Sequence, residues 1–276
     1  QHYFVAAELV RRGVEIATVA PRFCGEFQKG IDYIGEPTPF WKEARSSYFG
    51  CVDLSGVPKD RFFLYRSHWR PEEKTVHIVP HWNWPGKESK RRAVFVYTNG
   101  DEGELFLNGR SLGRHRKGEK CPLTNEYFAV TSKYRLMWTD IAYEPGELKA
   151  VVWKNGNFLG EEAVRTAGAP VALKTTLEPK LSGDADELRW VQVDVVDARG
   201  VRNPLAMNRV RFALMGPGEI VAVGNGDPMG TKSFSETDSH DLFYGKAMAV
   251  VRRIGRGRIV LKVMADGLLP AEEPID

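Results

Sequence analysis

From residue 76 onward, apolar positions come in short runs separated by Asn, Gly and Pro. The head of the chain is patterned differently. Phe4, Val5, Leu9 and Val10 recur at helical spacing, and Gly13 is placed to stop a helix over residues 2–12. Residues 14–20 (VEIATVA) then predict a short buried strand ending at Pro21. Helix followed by apolar strand is the idiom of an α/β protein. One such unit cannot bury its own surface, and no further helix–strand alternation follows.

After residue 60 the idiom changes. Residues 76–79 form a short apolar run that leads into HWNWPG. Residues 93–97 predict a strand closed by Asn99-Gly100, and residues 105–107 another, with Asn108-Gly109 leading into 110–112. Residues 148–153, then Asn155-Gly156, then 158–164 repeat the pattern. Asn-Gly between apolar runs predicts a tight hairpin, because both central residues of a type I′ turn need positive φ. Strands at this spacing predict a β-sandwich.

Small residues and proline at 166–170 (TAGAP) mark a boundary. A second strand set follows at 171–177, 190–196, 210–214, 219–223, 247–251 and 258–263, with a turn at 197–200. The tail, residues 268–276, is acidic with two prolines and predicts a frayed end. The fold class is therefore mainly β. A short α/β remnant spans residues 1–60, a sandwich 61–168, and a C-terminal immunoglobulin-like sandwich 169–276.

Composition narrows the function. The 276 residues are 42% hydrophobic and 27% charged, ordinary for a globular protein. No run approaches the ~18 apolar residues of a membrane span. A net charge of +3 is small for this length and points away from nucleic acid. The densest basic stretch, residues 110–120 (RSLGRHRKGEK), reads as a solvated hairpin flank rather than a phosphate-binding patch. Cys24, Cys51 and Cys121 are odd in number and lack metal-ligand spacing, so they imply neither a disulfide framework nor a metal site. The first residues do not read as a signal peptide, since Glu8, Arg11 and Arg12 interrupt any apolar core. That leaves the compartment open, with periplasm or secretion compatible for a larger parent.

The tract from residue 35 to 60 (GEPTPF…RSSYFG…DLSGVPKD) resembles the barrel end of glycoside hydrolase family 2 enzymes of the β-galactosidase type. The motifs FFLYRSHW, HWNWPG, VYTNGDEGELFLNGRSLG, YRLMW, YEPGELKA and VRTAG resemble the first C-terminal sandwich of that family. VQVDVVDARG, GPGEIVAVGNGDP and GKAMAVVRR resemble its terminal one. The head departs from the pattern. Gln28 stands where the family carries a tryptophan, and HYFVAAELVRRG with APRFCGEFQKGIDYIG is similar to the tagaturonate epimerases. The resemblance changes at residues 32–35, which reads as a fusion, natural or from sequence assembly.

A retaining glycosidase needs two carboxylates about 5 Å apart. The resemblance implies that both sit on earlier barrel strands, upstream of Gln1, so no catalytic residue is assigned here. Asn125-Glu126 matches the acid/base pair superficially but falls in the sandwich region and reads as a loop. Glu36 follows a strand end, where barrel enzymes place active-site loops. It is the substrate-binding candidate, with Phe40 and Trp41 offering aromatic faces; the bland alternative is a turn out of the barrel. His68, Trp69, His81, Trp82 and Trp84 form an aromatic cluster that suits a sugar platform but more often packs a core or domain interface. Asp194, Asp197 and Gly200 fall short of a calcium loop, so residues 197–200 read as a turn. No cofactor is implied. The partners implied are a carbohydrate in the intact enzyme, its barrel and N-terminal domains, and an oligomer contact. The competing reading is an independent carbohydrate-binding or adhesion module.

Overall fold

The structure, a computed structural model, describes residues 16–17, 31–32, 50–119, 131–179 and 188–275. The chain divides into two units, Gln1–Gly50 and Cys51–Asp276. In the first, β1 (Ile16–Ala17) pairs in parallel with β2 (Ile31–Asp32), with Ile16 opposite Ile31. Parallel neighbours need a crossover connection, as an α/β remnant requires. The helix expected over residues 2–12 lies outside the described residues.

The second unit opens on a loop tied to Asp53. Asp53 Oδ1 accepts from Ser55 N, Ser55 Oγ and Val57 N, each at 2.9 Å. Helix α1 (Asp60–Trp69) follows, an element that the sequence pattern does not predict. Asp60 in its first turn and Arg66 in its last complement the helix dipole, and Pro71 lies just beyond its end. Phe63 lies flat on His77, ring centroids 3.9 Å apart, and this docks the helix on the sheet behind it.

The first sandwich pairs a three-stranded and a four-stranded antiparallel sheet. The smaller has β3 (Val76–Val79), β4 (Arg91–Thr98) and β7 (Leu136–Ala142) in the order β3-β4-β7. The larger has β5 (Glu102–Leu107), β6 (Arg110–Arg116), β8 (Glu147–Lys154) and β9 (Asn157–Arg165) in the order β6-β5-β8-β9. Alternate residues point inward, so Val94, Val96, Leu136 and Trp138 of one sheet meet Leu105, Leu107, Leu148 and Val152 of the other.

Of the three Asn-Gly pairs expected to close strands of this sandwich, two form hairpin turns. Asn108 and Gly109 have φ of 51° and 80°, and Asn155 and Gly156 repeat these values. Asn99-Gly100 does not close a hairpin. β4 and β5 belong to different sheets, and the pair makes the crossing between them. Gly100 is there for space: a Cβ would lie 2.3 Å from Val152 Cγ1 and 2.7 Å from the Trp153 carbonyl oxygen. Asn99 accepts from Thr75 N at 3.0 Å and donates to the carbonyls of Pro71 and Glu73. The basic stretch is the edge strand β6, where Arg114 and Arg116 pair with Glu102 and Arg110 with Glu144.

The second sandwich holds β10 (Ala172–Leu177), β11 (Leu188–Val196), β15 (Lys246–Arg253) and β13 (Gly218–Gly224), in that order, in one sheet. The facing sheet holds β14 (Ser239–Asp241), β12 (Arg209–Met215), β16 (Ile259–Ala265) and β17 (Ala271–Ile275). Setting β14 aside, the arrangement is ABED against CFG, the immunoglobulin constant-type order. The tail corrects the expectation of a frayed end. β17 pairs with β16, Ile275 is buried in the core, and Lys262 pairs with Glu272 at 3.2 Å. Pro274 is tolerated because β17 is an edge strand.

Candidate functional site

The clearest assembly of convergent polar side chains lies where the sandwiches join. Trp82 is fully buried, meets Tyr143 edge-on at 5.1 Å, and donates from Nε1 to the Glu144 carbonyl at 2.9 Å. This anchor fixes the loop after β3 and aims Asn83 at the departing chain. Asn83 Nδ2 donates to the Arg165 carbonyl at 3.1 Å, and its Oδ1 accepts from Ala167 N at 2.8 Å. Thr166 Oγ1 donates to the Trp82 carbonyl at 2.7 Å and accepts from Gly146 N at 3.1 Å.

The second sandwich grips the same segment. Asp197 Oδ2 accepts from Gly168 N at 2.8 Å, and Asn203 Nδ2 donates to the Gly168 carbonyl at 3.0 Å. Arg199 Nη2 bridges the Thr166 carbonyl at 2.8 Å and Asp197 Oδ2 at 3.0 Å. Asp197 Oδ1 also holds its own turn, accepting from Arg199 N and Val201 N. The Gly168 N–H, with Val201 N, Arg199 N and the Arg199 side chain, outweighs burial and holds this carboxyl far below the usual carboxylate range. Burial first, then the charge of Arg202, lowers the pKa of His81. The polar side chains of this joint are spent on backbone or on one another. The arrangement can orient two bodies; it presents no free nucleophile among the described residues.

The other candidates fall into place around it. Glu36, Phe40 and Trp41 lie outside the described residues, as does Asn125-Glu126. The aromatic cluster is not one platform. Trp82 is core, Trp84 stacks on His81 at 4.4 Å with Arg92 4.8 Å from its ring, and His68 Nε2 meets the Tyr134 carbonyl at 3.0 Å. Within the cluster Trp69 is the open tryptophan, 72% exposed and stacked on Tyr65 at 4.7 Å. Asp194 pairs with Lys246 at 2.8 Å, so it and Asp197 serve separate ends. Among the described residues no three His, Cys, Asp or Glu side chains are grouped to hold a metal ion. Sequence reasoning does not reach Asn83, Thr166 or Asn203. The turn signature at 197–200 beside the small residues of 166–168 is the available signal.

The same domains occur in known proteins. Residues 174–273 match glycoside hydrolase family 2 C-terminal domain 5, residues 90–159 match a domain of unknown function, DUF4982, and residues 1–49 match tagaturonate epimerase. The terminal sandwich is thus a glycoside hydrolase family 2 domain, on a chain whose head resembles an epimerase. Among relatives, a beta-galactosidase of Bacteroides ovatus, BoGH2A, is 39% identical over 88% of this chain and 27% of its own length. A putative beta-glucuronidase of Formosa agariphila is 31% identical over 88% of this chain and 23% of its own. A solved beta-glycosidase from Bacteroides vulgatus superposes with a TM-score of 0.73 at 29% identity, covering 85% of this chain and 28% of that one. The chain spans about a quarter of the length of the curated relatives it matches.

Proposed function

We propose that this chain is the C-terminal accessory part of a family 2 exo-glycosidase of the β-galactosidase type, acting in carbohydrate degradation. Its sandwiches act as a stiff prop for the catalytic barrel of that enzyme. The observation that carries this reading is the joint at residues 166–168, held from both sides by Asn83, Asp197, Arg199 and Asn203. Tethered binding modules have no need to fix their mutual angle; a buttress does. The 39% identity to a beta-galactosidase supports the substrate class.

In the intact enzyme, the loop at residues 35–41 lines the sugar pocket, with Glu36 as polar contact and Phe40 or Trp41 as the aromatic face. The head joins from a different lineage. The epimerase-like match runs past Gly35 to residue 49, so the two resemblances overlap there. The coding sequence upstream of Gln1 tests the whole reading: a barrel with two suitably placed glutamates supports it, an epimerase frame supports a fusion. The purified chain should not hydrolyse nitrophenyl β-galactoside. Turnover near that of an intact family enzyme would refute the accessory role.

A second reading, an independent carbohydrate-binding module, is favoured only by the exposed Trp69. It requires retention on immobilised polysaccharide that disappears in Trp69→Ala. Trp82, a core residue, is not a suitable probe for it.

A further inference from the structure

The first sandwich contains a buried cation that the accessory role does not use. Arg135 precedes β7 and is only 5% exposed. Its guanidinium lies 5.0 Å from the Phe95 ring and 5.3 Å from the Tyr97 ring, and donates one long hydrogen bond, 3.4 Å, to Tyr97 Oη. Its Nε is buried without a hydrogen-bond partner, and among the described residues no carboxylate pairs with it. Buried charges are otherwise paired, and an unsatisfied one is costly. Two aromatic faces offset part of that cost but leave the in-plane Nε–H unfilled.

Arg135 lines a cleft of about 190 Å³ on the open side of the sandwich, between the edge strands β6 and β7. Trp138 forms part of its wall and is held by a 3.1 Å bond from Nε1 to the Gly113 carbonyl. The two acids along the cleft are already committed. Asp140 pairs with Arg91, and Glu119 takes His115 Nδ1 and Arg116 N, each at 2.8 Å. Arg116 pairs with Glu102, a carboxylate it shares with Arg114. Among the described residues, Arg135 is the cleft-lining charge with no carboxylate partner. Thr139 adds a hydroxyl, and Leu112 and Ile141 add apolar surface.

We propose that this cleft is a second ligand site, taking a sugar-sized ligand that carries an oxyanion: the carboxylate of a sugar acid or the sulfate ester of a neutral sugar. A planar guanidinium with an unspent Nε–H can match such an oxyanion bidentately once its long bond to Tyr97 yields. The hydroxyl and the apolar wall suit the ring that bears it. The volume is below that of drug-sized pockets, which limits the ligand to about one ring. The proposal does not depend on the accessory reading, since it concerns the sandwich alone.

Calorimetric titration of the full chain at fixed ionic strength tests it, with glucuronate, galactose 6-sulfate, glucose and inorganic sulfate as probes. At least one charged sugar should bind saturably, glucose should not, and inorganic sulfate should bind at least tenfold more weakly. Which charged sugar binds distinguishes carboxylate from sulfate ester. Arg135→Gln should lower the affinity at least tenfold, and Arg135→Lys less. Silence from both charged sugars, sulfate binding as tightly as either, or unchanged affinity in folded Arg135→Gln would each overturn the proposal. Should Arg135→Gln not fold, the Arg135 Nε–H resonance of the wild-type chain decides. It should shift with the charged sugar that binds and stay fixed with glucose; a resonance fixed throughout refutes the site.

Discussion

The two sandwiches solve the same packing problem with different residues. The core of the second is aliphatic, with Val191, Val193, Val195, Val251, Leu261, Val263 and Ile275 closing around a single buried phenylalanine, Phe212. The first is built around Trp82, Trp138 and Tyr143, and each of these rings uses its polar atom. Trp82 holds the joint loop, Trp138 ties β7 to β6, and Tyr143 Oη meets Thr166 Oγ1 at 3.3 Å. Aliphatic cores specify volume; aromatic cores with polar handles also specify direction. The first sandwich, which carries the joint, α1 and the Arg135 cleft, is the one that needs direction.

The largest expected effect probes this difference. Trp82→Ala should cost about 3–5 kcal/mol and Leu261→Ala about 2–5 kcal/mol in denaturant unfolding. Only Trp82→Ala should also loosen the other sandwich's grip, read as faster proteolysis at residues 166–170. If both variants leave that site equally protected, the contrast between the cores is one of composition alone. Asp197→Ala removes the grip from the opposite side. It should turn one cooperative unfolding transition into two and speed cleavage at 166–170 about tenfold or more. An unsplit transition at wild-type proteolysis rate would mean the joint is not what couples the sandwiches.

On the alkaline side, a pH effect should centre on His77 of the first sandwich. Burial depresses the pKa of His77, but hydrogen bonds and charges from Asp60 and Glu162 outweigh it and raise the value to about 9. The folded pKa lies above the unfolded value of 6.5. The contribution is therefore full below pH 6.5 and is lost as pH rises through about 9. It is at most about 3 kcal/mol at about 1.4 kcal/mol per pKa unit, and less because Asp60 is exposed. Unfolding of wild type and His77→Gln at pH 6 and pH 10 measures it; an equal pH dependence in both removes His77 from the account.

Smaller still, Gly100→Ala should cost about 1–3 kcal/mol through overpacking against Val152. Gly109→Ala should cost about 1–2 kcal/mol through its positive φ alone. Thermal unfolding of both, with Val152→Ala added to each, separates the mechanisms. The second change should rescue Gly100→Ala in part and leave Gly109→Ala unrescued.

These glycines also show how much of the fold is legible in the sequence. Local chemistry announces the hairpins at Asn108-Gly109 and Asn155-Gly156, and period-two alternation announces most strands of both sandwiches. Asn99-Gly100 carries the same letters, but its conformation is set by Val152 and Thr75, residues distant in sequence. Helix α1 escapes sequence reading because its apolar residues follow no clean helical stripe, and its position is fixed by Phe63 meeting His77. The tail misleads for a similar reason: prolines and acids suggest a free end unless a partner strand is known to lie alongside. At the joint, the turn at Asp197 is legible but its second duty toward Gly168 is not. Arg135 sits in a recognisable motif, yet the missing partner of a charge is visible only in three dimensions.

The pairing of β17 has a practical side for anyone producing this protein. Ile275 is a core residue, and its carbonyl accepts from Arg253 at 2.9 Å. Trimming about five residues from this end would unplug the core and bare most of the β16 edge that β17 covers. An affinity handle there should follow a polar spacer that lets β17 stay seated.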